Sequence, residues 1–140
     1  MAKLLIGQTG DGKPFTVDPS SLTKHVIVFG ATGSGKTVLC KSIMEEASSR
    51  GTPVLAIDPK GDIGCLAIRS ENFSFRPFSD SEANLLGKTP EDYSKELAGQ
   101  YRDNYAASAR DDDELNRFVE KTDVRIFTPR SSIGLRLDVP

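Results

Sequence analysis

The sequence predicts an α/β fold: a mostly parallel sheet with flanking helices, an incomplete core and an N-terminal β-hairpin. Three observations lead there. The runs His25–Phe29, Pro53–Ile57 and Val124–Phe127 are short, apolar and rich in β-branched residues, which reads as buried strand. Between the first two, Lys36 to about Arg50 carries a helical pattern, so strand, helix and strand form a βαβ unit with a right-handed crossover. A glycine-rich segment, Gly30 to Thr37, joins the first strand to that helix.

That segment reads GATGSGKT and fits the phosphate-loop pattern G-x-x-x-x-G-K-[ST] at every fixed position. Its setting, strand before and helix after, is the one the chemistry needs, and it places the fold in the P-loop NTPase type. Gly30, Gly33 and Gly35 give the chain dihedrals closed to other residues, so that backbone N–H groups turn inward as an anion nest. The helix adds its unpaired N–H groups and the positive end of its dipole. Lys36 reaches the β- and γ-phosphates as a point charge, and the Thr37 hydroxyl is a hard oxygen suited to Mg²⁺. The expected nucleotide-binding residues are Gly30, Ala31, Thr32, Gly33, Ser34, Gly35, Lys36, Thr37 and Val38. The alternative, a turn that merely caps a helix, does not account for the full match.

The second strand ends at Asp58. Ligands of such sheets bind beyond the carboxyl ends of the strands, which puts Asp58 beside the phosphate loop. It is a candidate for the Mg²⁺ shell, together with Thr37, and for catalysis, together with Lys36. Its other reading is a turn residue in Asp58-Pro59-Lys60-Gly61. Lys60 and Asp62 share the loop; both read as a solvated face before they read as contacts to nucleotide or a neighbouring subunit.

Composition bounds the rest. A chain of 140 residues is enough for one domain with a core, and its formal net charge of −2 gives no general basic field for nucleic acid. Cys40 and Cys65 have no metal-like spacing and suit a reducing cytoplasm, with Cys40 expected as a buried thiol in the helix. The single histidine excludes an all-histidine metal site, and no apolar run is long enough to span a membrane. A complete phosphate-loop core needs about five parallel strands, and a βαβ unit takes roughly 30 residues or more. Residues 1–140 therefore read as one ATP-binding domain within a longer protein.

The remaining elements follow local signals. Lys3–Gly7 and Phe15–Val17 flank an Asp-Gly turn and form the hairpin of residues 1–20. In the helix after the loop, Val38, Leu39, Ile43, Met44 and Ala47 share one side, which should pack on the sheet, with Lys41, Glu45 and Glu46 elsewhere. Gly51 ends that helix. Residues 68–88 are poorly patterned; Phe73, Phe75 and Phe78 with Arg69 and Arg76 read as a loop or edge strand anchored by aromatics, ahead of a surface stacking single-stranded nucleic acid. Thr89-Pro90-Glu91-Asp92 starts a helix along which Tyr93, Leu97, Tyr101 and Tyr105 form a packing stripe. Asp111–Glu114 opens the next, with Leu115, Phe118 and Val119 as its buried edge, so that residues 89–122 read as a helical insert.

Three stretches together resemble one family: His25–Phe29 running into GATGSGKT, then Ile57-Asp58-Pro59-Lys60-Gly61-Asp62, then Val124-Arg-Ile-Phe-Thr-Pro. They are similar to the HerA–FtsK group of ATPases, tightly at the loop and the Asp-Pro turn and loosely elsewhere between Ile6 and Leu137. The resemblance implies an ATP- and Mg²⁺-dependent helicase or translocase on duplex DNA, a homo-oligomer built as a hexameric ring. It assigns ATP and Mg²⁺ roles to Lys36 and Thr37 and matches Asp58 to the acid of the Asp-Pro turn. The family's later acidic strand, with its water-polarising glutamate, has no counterpart after Asp58. No arginine is assignable as a finger across a subunit boundary, although Arg102, Arg110, Arg125 and Arg130 are candidates. Two other readings stand beside this one. A small-molecule phosphotransferase would need an acceptor pocket, and a GTPase would need an Asn/Thr-Lys-x-Asp motif that is missing. A nucleotide switch without turnover would fit the incomplete catalytic set.

Overall fold

The computed structural model describes residues 3–67, 80–107, 112–129 and 134–137. The elements run β1 (Leu4–Gln8), β2 (Pro14–Val17), α1 (Lys36–Ser49), α2 (Asp80–Leu85), α3 (Pro90–Ala107), α4 (Asp112–Lys121), β3 (Phe127–Pro129) and β4 (Leu135–Leu137), with 3-10 turns at Pro19–Thr23 and Gly64–Ala67.

The N-terminal hairpin forms where its turn signal lies. Thr9 N–H donates to Lys13 O at 2.8 Å, and Gly12, at φ 80°, turns the chain back. β1 and β2 pair antiparallel, with Leu4 opposite Val17 and Gln8 opposite Pro14, and a bulge between Leu5 and Gly7. Leu4 and Ile6 are both buried, and β1 packs against α1.

Helix α1 ends as its glycine dictates. Gly51, at φ 86°, donates to Ser48 O at 2.9 Å, and Thr52 donates to Ala47 O at 3.0 Å. The pair is a Schellman motif, which satisfies two carbonyls of the last turn. The expected packing face of α1 needs correction. Ala47 is buried, but Val38 is exposed, whereas Glu46 is 3% exposed. Cys40 is half-buried, Cys65 is exposed, and both thiols are free. The helix lies against β1 and α4 and not on a parallel sheet, so a different side is covered.

Glu46 is the charged centre of that packing. Its Oε2 accepts from the Leu5 backbone N–H at 3.2 Å and from Arg50 Nε at 2.9 Å, while Oε1 accepts from Arg117 Nη2 at 3.4 Å. One carboxylate thus ties β1, α1 and α4 together, and its burial is compensated by pairing and hydrogen bonds. Phe118 is the buried residue of α4, with Leu115 and Val119 half-covered.

Helix α2, which the sequence did not signal, ends in a similar glycine turn. Gly87, at φ 67°, donates to Asn84 O at 3.0 Å, and Lys88 donates to Ala83 O at 3.0 Å. Ala83 is wholly buried, and α2 packs on α3. At the start of α3, Thr89 Oγ1 accepts from Asp92 N–H at 3.1 Å and donates to Asp92 Oδ2 at 2.7 Å. The expected stripe is buried at Tyr93, half-buried at Leu97 and Tyr105, and exposed at Tyr101.

The sheet is the largest departure from expectation. Among the described residues there are two two-stranded sheets, one the β1–β2 hairpin and the other β3–β4. The expected strands His25–Phe29 and Pro53–Ile57 carry no ladder, and Val124–Ile126 precedes β3 and joins the pairing through the Ile126 carbonyl. The reason is that β-forming side chains dispose a chain to pair but cannot supply the neighbour that makes a strand. Ile27, Phe29, Leu55 and Ile57 are each more than 70% exposed. The parallel pairing that does form is β3 with β4, Phe127 opposite Leu135 and Pro129 opposite Leu137. It is extended by Leu135 N–H donating to Ile126 O at 2.8 Å. The aromatic stretch around Phe73, Phe75 and Phe78 lies outside the described residues, as do Arg110 and Arg130. No helix among the described residues is long and apolar enough to cross a membrane.

Candidate functional site

The glycines of the loop do what their chemistry allows. Gly33 has φ 79° and Gly35 φ 84°, both in the left-handed region. A side chain at either would be strained by the backbone alone. At Gly30 the restraint is space, since a Cβ there would run into the Ser34 hydroxyl. Ser34 N–H donates to Ala31 O at 3.2 Å and closes the turn.

Gly35 is the N-cap of α1, and no side chain caps the helix. The first turn of α1 also carries no acidic residue. The N–H groups and the positive dipole end therefore face solvent, open to water or to an external anion. Lys36 bends back over the loop, and its Nζ donates to Ala31 O at 2.5 Å. The ammonium thus covers the loop from within and is available to any phosphate oxygen that competes better for it than a carbonyl. Residues 30–35 and Val38 are exposed, and Lys36 and Thr37 are half-buried.

The Asp58 loop comes to this site through a different residue from the one the sequence favoured. Asp58 Oδ1 accepts from Gly61 N–H at 2.8 Å, and Oδ2 accepts from Ile63 N–H at 2.8 Å and Gly64 N–H at 3.2 Å. Desolvation pushes the Asp58 carboxyl up, but these backbone N–H groups outweigh it, and the group titrates below the ordinary aspartate value. Gly61, at φ 79°, makes the reversal that brings those N–H groups round. At the tip, Asp62 Oδ2 accepts from Thr37 Oγ1 at 3.4 Å. The structure therefore joins Thr37 to the loop through Asp62, a residue the sequence pattern places on a solvated face. No local signal marks that contact, because it spans 25 residues.

The donor set fits a hard cation next to a polyphosphate: a threonine hydroxyl, a carboxylate and an uncapped helix N-terminus. Hydroxyl and carboxylate oxygens are the ligands that Mg²⁺ selects. A search of curated proteins and of solved structures found no significant match to this chain. A family profile accounts for most of the length of the chain. Over residues 4–123 the sequence matches the family described as helicase HerA, central domain, and the chain belongs to that family.

Proposed function

We propose that this chain is the Mg–ATP-binding domain of a ring-forming ATPase that moves duplex DNA. The observation that carries the nucleotide part is the combination at Gly30–Thr37. Two left-handed glycines, an ammonium folded over the loop and a helix start with no side-chain cap leave a set of N–H donors open to an anion. In this reading residues 30 to 38 hold the phosphates, Lys36 neutralises charge on the transferred group, and Thr37 holds Mg²⁺. The cation supplies charge neutralisation between phosphate oxygens. Asp58 belongs to the site through the loop it folds. DNA as partner, a hexameric ring and translocation rest on the HerA family alone. Residues 1–20 and 89–122 are additions to the nucleotide core in this arrangement.

The test is calorimetry of Mg–ATP binding. A charge-assisted hydrogen bond contributes about 1.5–3 kcal/mol. Lys36→Ala should therefore weaken binding about 10- to 150-fold with unfolding by urea unchanged. ATP turnover should appear in the oligomeric protein and rise with duplex DNA. Failure of the wild-type chain to bind ATP would remove the reading at its base, and ATP binding without turnover in the assembled protein with DNA would favour a nucleotide switch.

A further inference from the structure

Resting on the nucleotide reading above, we infer that Asp62 is the carboxylate that faces the Mg²⁺ of bound Mg–ATP beside Thr37, and that Asp58 is the positioning residue that holds it there. The two aspartates of this loop have divided labour. Asp58 spends both oxygens on Gly61, Ile63 and Gly64 N–H groups within its own turn. Those three donors bracket Asp62, so the Asp58 carboxylate fixes the backbone on either side of it. Asp62 has its side chain on Thr37, in the first turn of α1 and directly after the phosphate-loop lysine.

At 3.4 Å the Thr37 hydroxyl and the Asp62 carboxylate are wider apart than an ordinary O–H···O bond, which is 2.5–3.0 Å. Cis oxygens of an octahedral shell with Mg–O near 2.0–2.1 Å stand about 2.9 Å apart. The pair is thus at a separation that side-chain adjustment brings to a common cation or to one of its waters. Electrostatics gives the idea a sign. A carboxylate at the rim of an anion nest repels a triphosphate, unless a cation stands between them. Asp62 should therefore oppose free ATP and favour Mg–ATP.

That inversion is the test. The full chain and its Asp62→Asn variant are titrated with ATP by calorimetry, once with Mg²⁺ in excess and once with EDTA. Asp62→Asn should weaken Mg–ATP binding about tenfold and bind metal-free ATP at least as tightly as the wild type. A role limited to loop structure would move both affinities in the same direction. Asp58→Asn, which frees the turn, should weaken Mg–ATP binding and also broaden the Gly61 and Ile63 amide resonances, while Asp62→Asn leaves those resonances in place. Unchanged Mg²⁺ dependence in Asp62→Asn, or a parallel loss with and without Mg²⁺, overturns this inference and leaves the nucleotide reading intact. Absence of ATP binding by the wild type under both conditions overturns that reading and this inference with it.

Discussion

At the scale of single residues, the site depends on which backbone N–H groups are already spoken for. Asp58 claims those of its own turn, whereas in the phosphate loop Ser34 N–H is spent on Ala31 O and the start of α1 has no side-chain cap. The consequence for pH has a definite sign. The Asp58 carboxyl is held below its ordinary value of about 3.9, so its contribution to the loop is complete above that pH and is lost as pH falls through the lowered folded value. The Gly61 and Ile63 amide resonances should hold their dispersion down to about pH 4 and collapse toward unfolded positions below it. Retention of those shifts in Asp58→Asn at neutral pH would show that the carboxylate does not order the loop. Much of this scale was legible in the sequence. Gly33, Gly35 and Gly51 occupy conformations that glycine alone takes readily, and Thr89 followed by Asp92 forms the cap that the spacing announces. Asp62 was not legible as a partner of Thr37, because proximity across 25 residues is a product of folding and not of local pattern.

At the scale of elements, α1 is held at two ends by different chemistry. Its start is an open set of donors, and its last turns are locked by a Schellman motif and the buried Glu46 carboxylate. Arg50 and Arg117 retain about a quarter of their side-chain exposure, so water screens part of each ion pair. Glu46→Gln should cost about 1–3 kcal/mol, from the lost charge on three donors, measured by urea unfolding. A loss below about 0.5 kcal/mol would place Glu46 among ordinary surface ion pairs. Helix limits were readable because caps are local. The buried side of α1 was not: the apolar pattern points to Val38, yet the structure exposes Val38 and buries Glu46, since what covers a helix is set by its neighbours. Helix α2 escaped notice for a related reason. Six residues give too little periodicity to read, and Ala83 is buried by contact with α3.

At the scale of the whole molecule, helices outrun sheet. Among the described residues, the runs 25–29 and 53–57 have strand composition without strand partners, and Ile27, Phe29, Leu55 and Ile57 are exposed. Exposed apolar surface of this kind binds hydrophobic dyes and promotes association. The chain of residues 1–140 should enhance anilinonaphthalene sulfonate fluorescence and show concentration-dependent light scattering. The double substitution Leu55→Lys with Ile57→Lys should reduce both while leaving Mg–ATP affinity within about threefold, because neither residue lies in the phosphate loop. Dye binding unchanged by that double substitution would place the sticky surface elsewhere. Here the sequence was informative about character and silent about pairing: it marks which segments are built for a sheet, and only three-dimensional neighbours decide whether a ladder forms.

The Glu46 knot bears on how a bound nucleotide would be felt at a distance. Ten residues separate Lys36 from Glu46, about 15 Å of helix axis at 1.5 Å per residue. A rigid rod of that length, gripped at its far end by the Leu5 amide and the Arg117 guanidinium, transmits any tilt of its first turn to the hairpin and to α4 together. In the nucleotide reading proposed above, a triphosphate bound at Gly35 would bear on the hairpin and on α4 through this helix.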